Sequence, residues 1–144
     1  MHQPSHACNV FYYSLLFLTA CFVPVAESWV ASAQGDPQIA GIWRGNSVCA
    51  VPNSPCRDEV NFYRFSEISG QPQRFLCTGG NVVDGREIVM GSGEWTYDAS
   101  KHLLQRVTPN PTIRLTLDHD TLTGALALPD GTIYRRIYLK KSRD

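Results

Sequence analysis

The sequence predicts an all-β fold: an antiparallel meander of about eight strands closing into one small up-and-down barrel, with a two-sheet β-sandwich as the structural alternative. Three observations carry this expectation. Short runs with alternating apolar and polar residues fill the chain after residue 38, turn-forming clusters interrupt them roughly every eight to twelve positions, and no segment sustains helical periodicity. A meander of that kind leaves exposed edges unless it closes on itself, and closure removes them.

The elements follow in order. Candidate strands run from Ala40 to Ala50, Glu59 to Ile68, Arg74 to Thr78, Asn81 to Val83, Arg86 to Tyr97, Leu103 to Thr108, Thr112 to Asp118, Thr121 to Leu128 and Thr132 to Lys140. The two short pieces around Gly79-Gly80 merge into one bulged strand, which brings the count to eight. Between strands stand Pro52-Asn53-Ser54-Pro55, Ser69-Gly70-Gln71-Pro72, Asp84-Gly85, Asp98-Ala99-Ser100, Pro109-Asn110-Pro111, Asp118-His119-Asp120 and Asp130-Gly131. Gly and Asn tolerate positive φ there, and Pro fixes φ while donating nothing to a ladder. Asp130-Gly131 suits a type I′ hairpin turn. One face of the last strands carries Ile113, Leu115, Leu117, Leu122, Leu126, Leu128, Ile133, Ile137 and Leu139, and the other carries Arg114, Thr116, Thr121, Thr123, Arg136 and Lys140. One face packs and the other is wet.

The first 33 residues are of another kind. No charged side chain occurs from Met1 to Ala26, and Val10 to Ala26 is almost wholly apolar. Ala31-Ser32-Ala33 then supplies the small residues a signal peptidase inspects. The expected organisation is a signal peptide at 1–33, a linker at 34–38 and a barrel domain at 39–144, exported to a periplasmic or extracellular space. A rival reading sits in the same stretch, because Leu18-Thr19-Ala20-Cys21 resembles the lipobox of bacterial lipoproteins, in which the cysteine is lipidated. Membrane attachment through Cys21 is then the alternative to release.

Charge excludes some partners. All 13 Lys and Arg residues lie after position 43, and 12 of the 13 Asp and Glu residues lie after position 33, so the piece from residue 34 onward carries 13 − 12 = +1. Without a basic stripe to displace counterions, nucleic acid is not an expected partner. No catalytic residue can be named, since no pair of groups with tuned acidity stands out. Glu87 and Glu94 read as carboxylates on a solvated face, Asp118-His119-Asp120 as an Asx-rich turn, and Ser92 lacks the spacing of a hydrolase nucleophile. No cofactor motif is present. Three cysteines with His102 and His119 in turns make no zinc pattern.

Those three are Cys49, Cys56 and Cys77, once Cys8 and Cys21 are assigned to the leader. An oxidising compartment favours one disulfide and leaves one thiol over. Chain entropy barely separates the choices, about 2.5 kcal/mol for joining Cys49 to Cys56 against about 3.4 for Cys56 to Cys77. Geometry prefers Cys49 with Cys56, because Pro52 to Pro55 turns the chain between adjacent antiparallel strands whose facing positions come within disulfide range. Cys77 is then a buried, inert thiol.

A first strand bearing Gly41-Ile42-Trp43, a meander after it, and a last strand bearing Tyr134-Arg135-Arg136 resemble the lipocalin-like, or calycin, barrels. The resemblance implies that Trp43 closes one end of the barrel and that Arg135, or else Arg136, packs across its ring. The middle Asp-Tyr motif and C-terminal helix of full lipocalins are missing. It also implies a non-catalytic binding module for a small apolar or aromatic molecule, with Phe62, Phe65, Trp95, Tyr97, Tyr134 and Tyr138 as candidate lining. A cavity of roughly 300 Å³ or more with one open mouth is the expected support. A second reading is a protein-binding module, an inhibitor of exported proteases that uses Gln34 to Ile39 as a plug. A hydrolytic or isomerase barrel is a third. Mass spectrometry of the mature N-terminus checks the leader: Gln34 as first residue is the expected result, and an acylated Cys21 establishes the lipoprotein instead.

Overall fold

A computed structural model describes residues 38–106, 108 and 111–143. The leader, with Cys8 and Cys21, and linker residues 34–37 lie outside the described residues. The described chain is a closed barrel of eight strands in sequence order: β1 Gly41–Cys49, β2 Glu59–Glu67, β3 Arg74–Val83, β4 Arg86–Asp98, β5 Leu103–Arg106, β6 Thr112–Asp118, β7 Thr121–Ala127 and β8 Ile133–Lys141. Every neighbouring pair is antiparallel, and β1 pairs with both β2 and β8. The barrel, not the sandwich, is the fold.

Alternation decides which side chains enter. Around the ring, Trp43 faces Tyr63, Phe65 faces Cys77, Phe75 faces Trp95, Tyr97 faces Leu104, and Leu122 faces Leu139. These inward positions form the core, joined by the fully buried Ile39 just before β1. Trp43 is completely buried, and its indole N–H donates to the Ile39 carbonyl at 2.9 Å, which satisfies its one polar atom. Gly41 has φ +122°, a conformation that L side chains rarely adopt, and a Cβ there would stand 3.3 Å from Lys141 Cε. The chain therefore enters β1 through a position that suits glycine alone.

Glycines also let the sheet bend. At Gly45 an added Cβ would fall on the Tyr138 carbonyl oxygen and lie 2.9 Å from Leu139 Cα, so β8 crosses β1 where a side chain would otherwise stand. Gly124 does the same between β7 and the Arg114 carbonyl of β6. The expected bulge is present. Gly79 pairs with Gly91 and Gly80 with Val89, leaving Met90 as the extra residue.

The turn expected to be type I′ is not, and another turn takes that type. At the end of β7, the Leu128 carbonyl accepts from Gly131 N–H and Leu128 N–H donates to the Thr132 carbonyl, each at 2.9 Å. Only Gly131 has positive φ there, so this is a three-residue loop of type I turn plus bulge, not type I′. Pro129 is the reason, because its ring holds φ near −65° at the first turn position. Asp84 and Gly85, with φ of 50° and 74°, make the two-residue type I′ hairpin between β3 and β4. A second register shift, between Leu126 and Ala127 opposite β8, leaves Ile133 exposed rather than in the core.

The cysteine pairing is as expected: Cys49 and Cys56 form a disulfide bridging the β1–β2 loop, with Cα atoms 5.9 Å apart, and Cys77 is free and buried. Thermal melts check the packing. Trp43→Ala should cost about 3–5 kcal/mol for an emptied aromatic site, and Gly45→Ala about 3 kcal/mol for forcing β1 and β8 apart. A melt unchanged by either substitution contradicts its placement.

Candidate functional site

The barrel is not filled evenly. At the Trp43 end, Ile39, Phe75, Leu104, Leu115, Leu122 and Leu139 are wholly inaccessible. Toward the Cys49 end the inward positions of β3 and β4 are Gly79, Gly91 and Gly93 instead of large side chains. The missing volume remains as a cavity of about 230 Å³, roughly the space of seven or eight waters. That falls below the expected 300 Å³, and it opens at one end of an otherwise side-chain-filled barrel.

Each wall has an identifiable origin. Tyr63 reaches in from β2 and lies along β3, where a Cβ on Gly79 would meet its ring at 3.4 Å. Its ring stands edge-on to Trp95 at 6.0 Å, and Trp95 in turn is edge-on to Phe65 at 5.4 Å. Such pairs lock ring orientation and add roughly 0.5–1.5 kcal/mol beyond burial. Ile113, Leu126 and Ile137 complete an apolar side. Opposite lie Ser47, Asn61 and Asn81. The Asn61 amide donates to Asn81 Oδ1 at 2.7 Å and to the Gly80 carbonyl at 3.4 Å, and its own Oδ1, buried, has no partner among the described residues.

Three charged side chains line the cavity: Glu59, Arg106 and Arg135. Arg135 is spoken for. Its guanidinium pairs with Glu59 at 3.2 Å and donates to the Arg57 carbonyl at 3.0 Å and, at longer range, to Ser47. Arg106 is held otherwise, with its guanidinium laid over Gly93, where a Cβ would meet Nε at 3.3 Å and NH2 at 3.4 Å. No acidic side chain among the described residues pairs with it. The lining therefore holds two positive charges and one negative.

Burial pushes the Cys77 thiol up to about 12 and, aided by the Cys77 charge, the Tyr63 phenol up to about 12. Both stay protonated at neutral pH, so the cavity offers hydrogen-bond donors and no thiolate nucleophile. Among the described residues no group of three His, Cys, Asp or Glu side chains gathers as a metal site.

No known family model matches this chain, and no curated protein does. The site must be read from its own geometry.

The six aromatic residues expected to line a cavity divide evenly. Phe65, Trp95 and Tyr97 are inside, with Trp95 at the cavity wall and Tyr97 deeper, its hydroxyl 3.4 Å from His102 Nδ1. Phe62, Tyr134 and Tyr138 point away from the interior, Phe62 fully buried there, Tyr134 half-buried and Tyr138 exposed. Phe62 alternates with the inward Asn61 and Tyr63; the Arg64 guanidinium lies 5.8 Å from its ring, and Glu87 ties Arg64 to Arg44 at 3.1 and 2.7 Å. Tyr138 is 47% exposed, and Tyr134 lies beneath Arg135. The cause is the two-residue period, since the inward residues of β8 are Arg135, Ile137 and Leu139.

The same period corrects the partner of Trp43. The register of β1 against β8 sets Trp43 opposite Lys141 and Cys49 opposite Arg135, so Arg135 sits at the far end of the barrel. The cation over the Trp43 ring is Lys141, at 5.6 Å, and neither Arg135 nor Arg136 can reach it. Sequence reasoning missed Tyr63, Asn61 and Arg106. Counting back by twos from Phe65 reaches the first two, and Arg106 faces Trp95 across β4 and β5.

Cys77 and Tyr63 also predict alkaline behaviour. Their pKa values rise on folding, so the neutral forms stabilise the fold fully below the ordinary values of 9.0 and 10.0, and that stability is lost as pH climbs toward 12. Urea midpoints should fall between pH 9 and 12, and the fall should be smaller in Cys77→Ala. Equal slopes in the two proteins contradict the thiol's part.

Proposed function

We propose that this chain is an exported, lipocalin-like binding barrel that carries a small molecule in its interior and performs no chemistry on it. The observation that carries the reading is the cavity: in a barrel this small, side chains can fill the interior completely, yet three inward glycines leave one end open beside Trp95 and Tyr63. Empty polar space of that kind costs packing energy that a purely structural barrel would have no reason to forgo. The likeness to lipocalin-like barrels is supported by the closed antiparallel meander and by Trp43 at the filled end beneath a last-strand cation, here Lys141. The Cys49–Cys56 disulfide is consistent with an oxidising compartment outside the cytosol.

The inhibitor reading loses part of its plug. Ile39 is buried in the core and the Gln38 carbonyl accepts from Lys141 Nζ at 2.7 Å, so any plug consists of residues ahead of these.

Native mass spectrometry of the purified protein and ligand-observed NMR with indole, phenol and benzamide test the carrier. At least one retained molecule or bound probe is expected. Gly91→Leu, whose side chain would project into open space at the cavity wall, should weaken that binding at least tenfold without lowering the melt. Absence of any bound species overturns the reading.

A further inference from the structure

We infer that the cavity selects a small organic anion, a carboxylate on a flat apolar body, with Arg106 as the residue that recognises its charge. This rests on the reading of the barrel as a small-molecule carrier and names the class of molecule carried.

The two arginines of the cavity are not equivalent. Arg135, its side chain only 13% exposed, is neutralised by Glu59 and spends its donors on Ser47 and the Arg57 carbonyl. It therefore builds the wall. Among the described residues Arg106 has no carboxylate partner and its guanidinium makes no hydrogen bond, and it lies against Gly93. Arg106 faces Trp95 across β4 and β5 at the cavity wall and is half-buried, and a partly desolvated guanidinium gains from an anion beside it. Nothing in the described lining supplies one, because the one acidic group there belongs to Arg135.

Geometry narrows the anion. The guanidinium fork matches a carboxylate bidentately, and the Tyr63 hydroxyl, for which no acceptor is found among the described residues, is a further donor in the same cavity. Its wall, with Trp95, Ile113 and Leu126, suits a planar apolar body. One uncompensated charge suits a monoanion better than a phosphate ester. The volume of about 230 Å³ suits a molecule the size of a substituted benzoate and is short of a long acyl chain.

Calorimetric titration with matched acid and amide pairs, namely benzoate with benzamide, phenylacetate with phenylacetamide and cinnamate with cinnamamide, tests the assignment at pH 7.5. At least one acid should bind ten or more times tighter than its amide, with a preference that shrinks as salt is raised. Arg106→Gln should abolish the preference by weakening the acid tenfold or more while leaving the amide within twofold, and Arg106→Lys should retain part of it. The wild-type comparison needs no variant to fold. Equal binding of acids and amides, or a preference that survives Arg106→Gln, overturns the anion assignment and leaves the carrier intact. If no pair binds while native mass spectrometry still finds a retained neutral molecule, the anion assignment alone falls. If nothing is bound in either experiment, the carrier reading falls with it.

Discussion

Everything in this barrel depends on how β1 closes against β8. The register that sets Trp43 opposite Lys141 and Cys49 opposite Arg135 fixes, strand by strand, which residues share a level of the interior. A shift of one residue would turn Trp43, Ser47, Ile137 and Leu139 outward together. Glycine makes the closure possible at Gly45, where the β8 backbone occupies the place of a side chain. The buried indole secures it, hydrogen-bonded to Ile39 and capped by Lys141.

Closure divides the interior into two ends with different tasks. Near Trp43, large apolar side chains interdigitate and supply most of the burial that holds so small a domain together. Near Cys49, glycines replace them, and the wall is polar and charged. That end forgoes packing, and the disulfide lies next to it, tying β1 to the loop that leads into β2. A cross-link there restrains the part of the molecule with the fewest core contacts. The outer cluster of Arg44, Arg64 and Glu87 around Phe62 adds little by itself, since exposed ion pairs contribute roughly 0–1 kcal/mol, but it keeps an outward aromatic ring out of water.

Arg135 and Arg106 stand in different surroundings within one cavity. With Glu59 beside it, Arg135 is a strut. Arg106 has no carboxylate partner among the described residues. Tyr63 and Cys77 stay protonated at neutral pH, so the described lining carries a net charge of one cation.

Much of this was legible in the linear chain. Turn residues and alternation placed eight strands, the bulge at Gly79-Gly80 and the Cys49–Cys56 pair, because each is decided by chemistry local to a few residues. Legibility ended where distant segments meet. Tyr134 and Tyr138 look like lining until β8 is counted from Ile137 and Leu139, and Arg135 looks like the partner of Trp43 until the register places Lys141 there. The Asp130-Gly131 turn was misjudged for a local reason, the fixed φ of Pro129. The sequence by itself determined the strands, their turns and the staple. Only the tertiary structure decided which cation covers Trp43, which aromatics turn inward and where the cavity lies, because those follow from pairing between strands nearly a hundred residues apart, whose register depends on the closure of the whole ring.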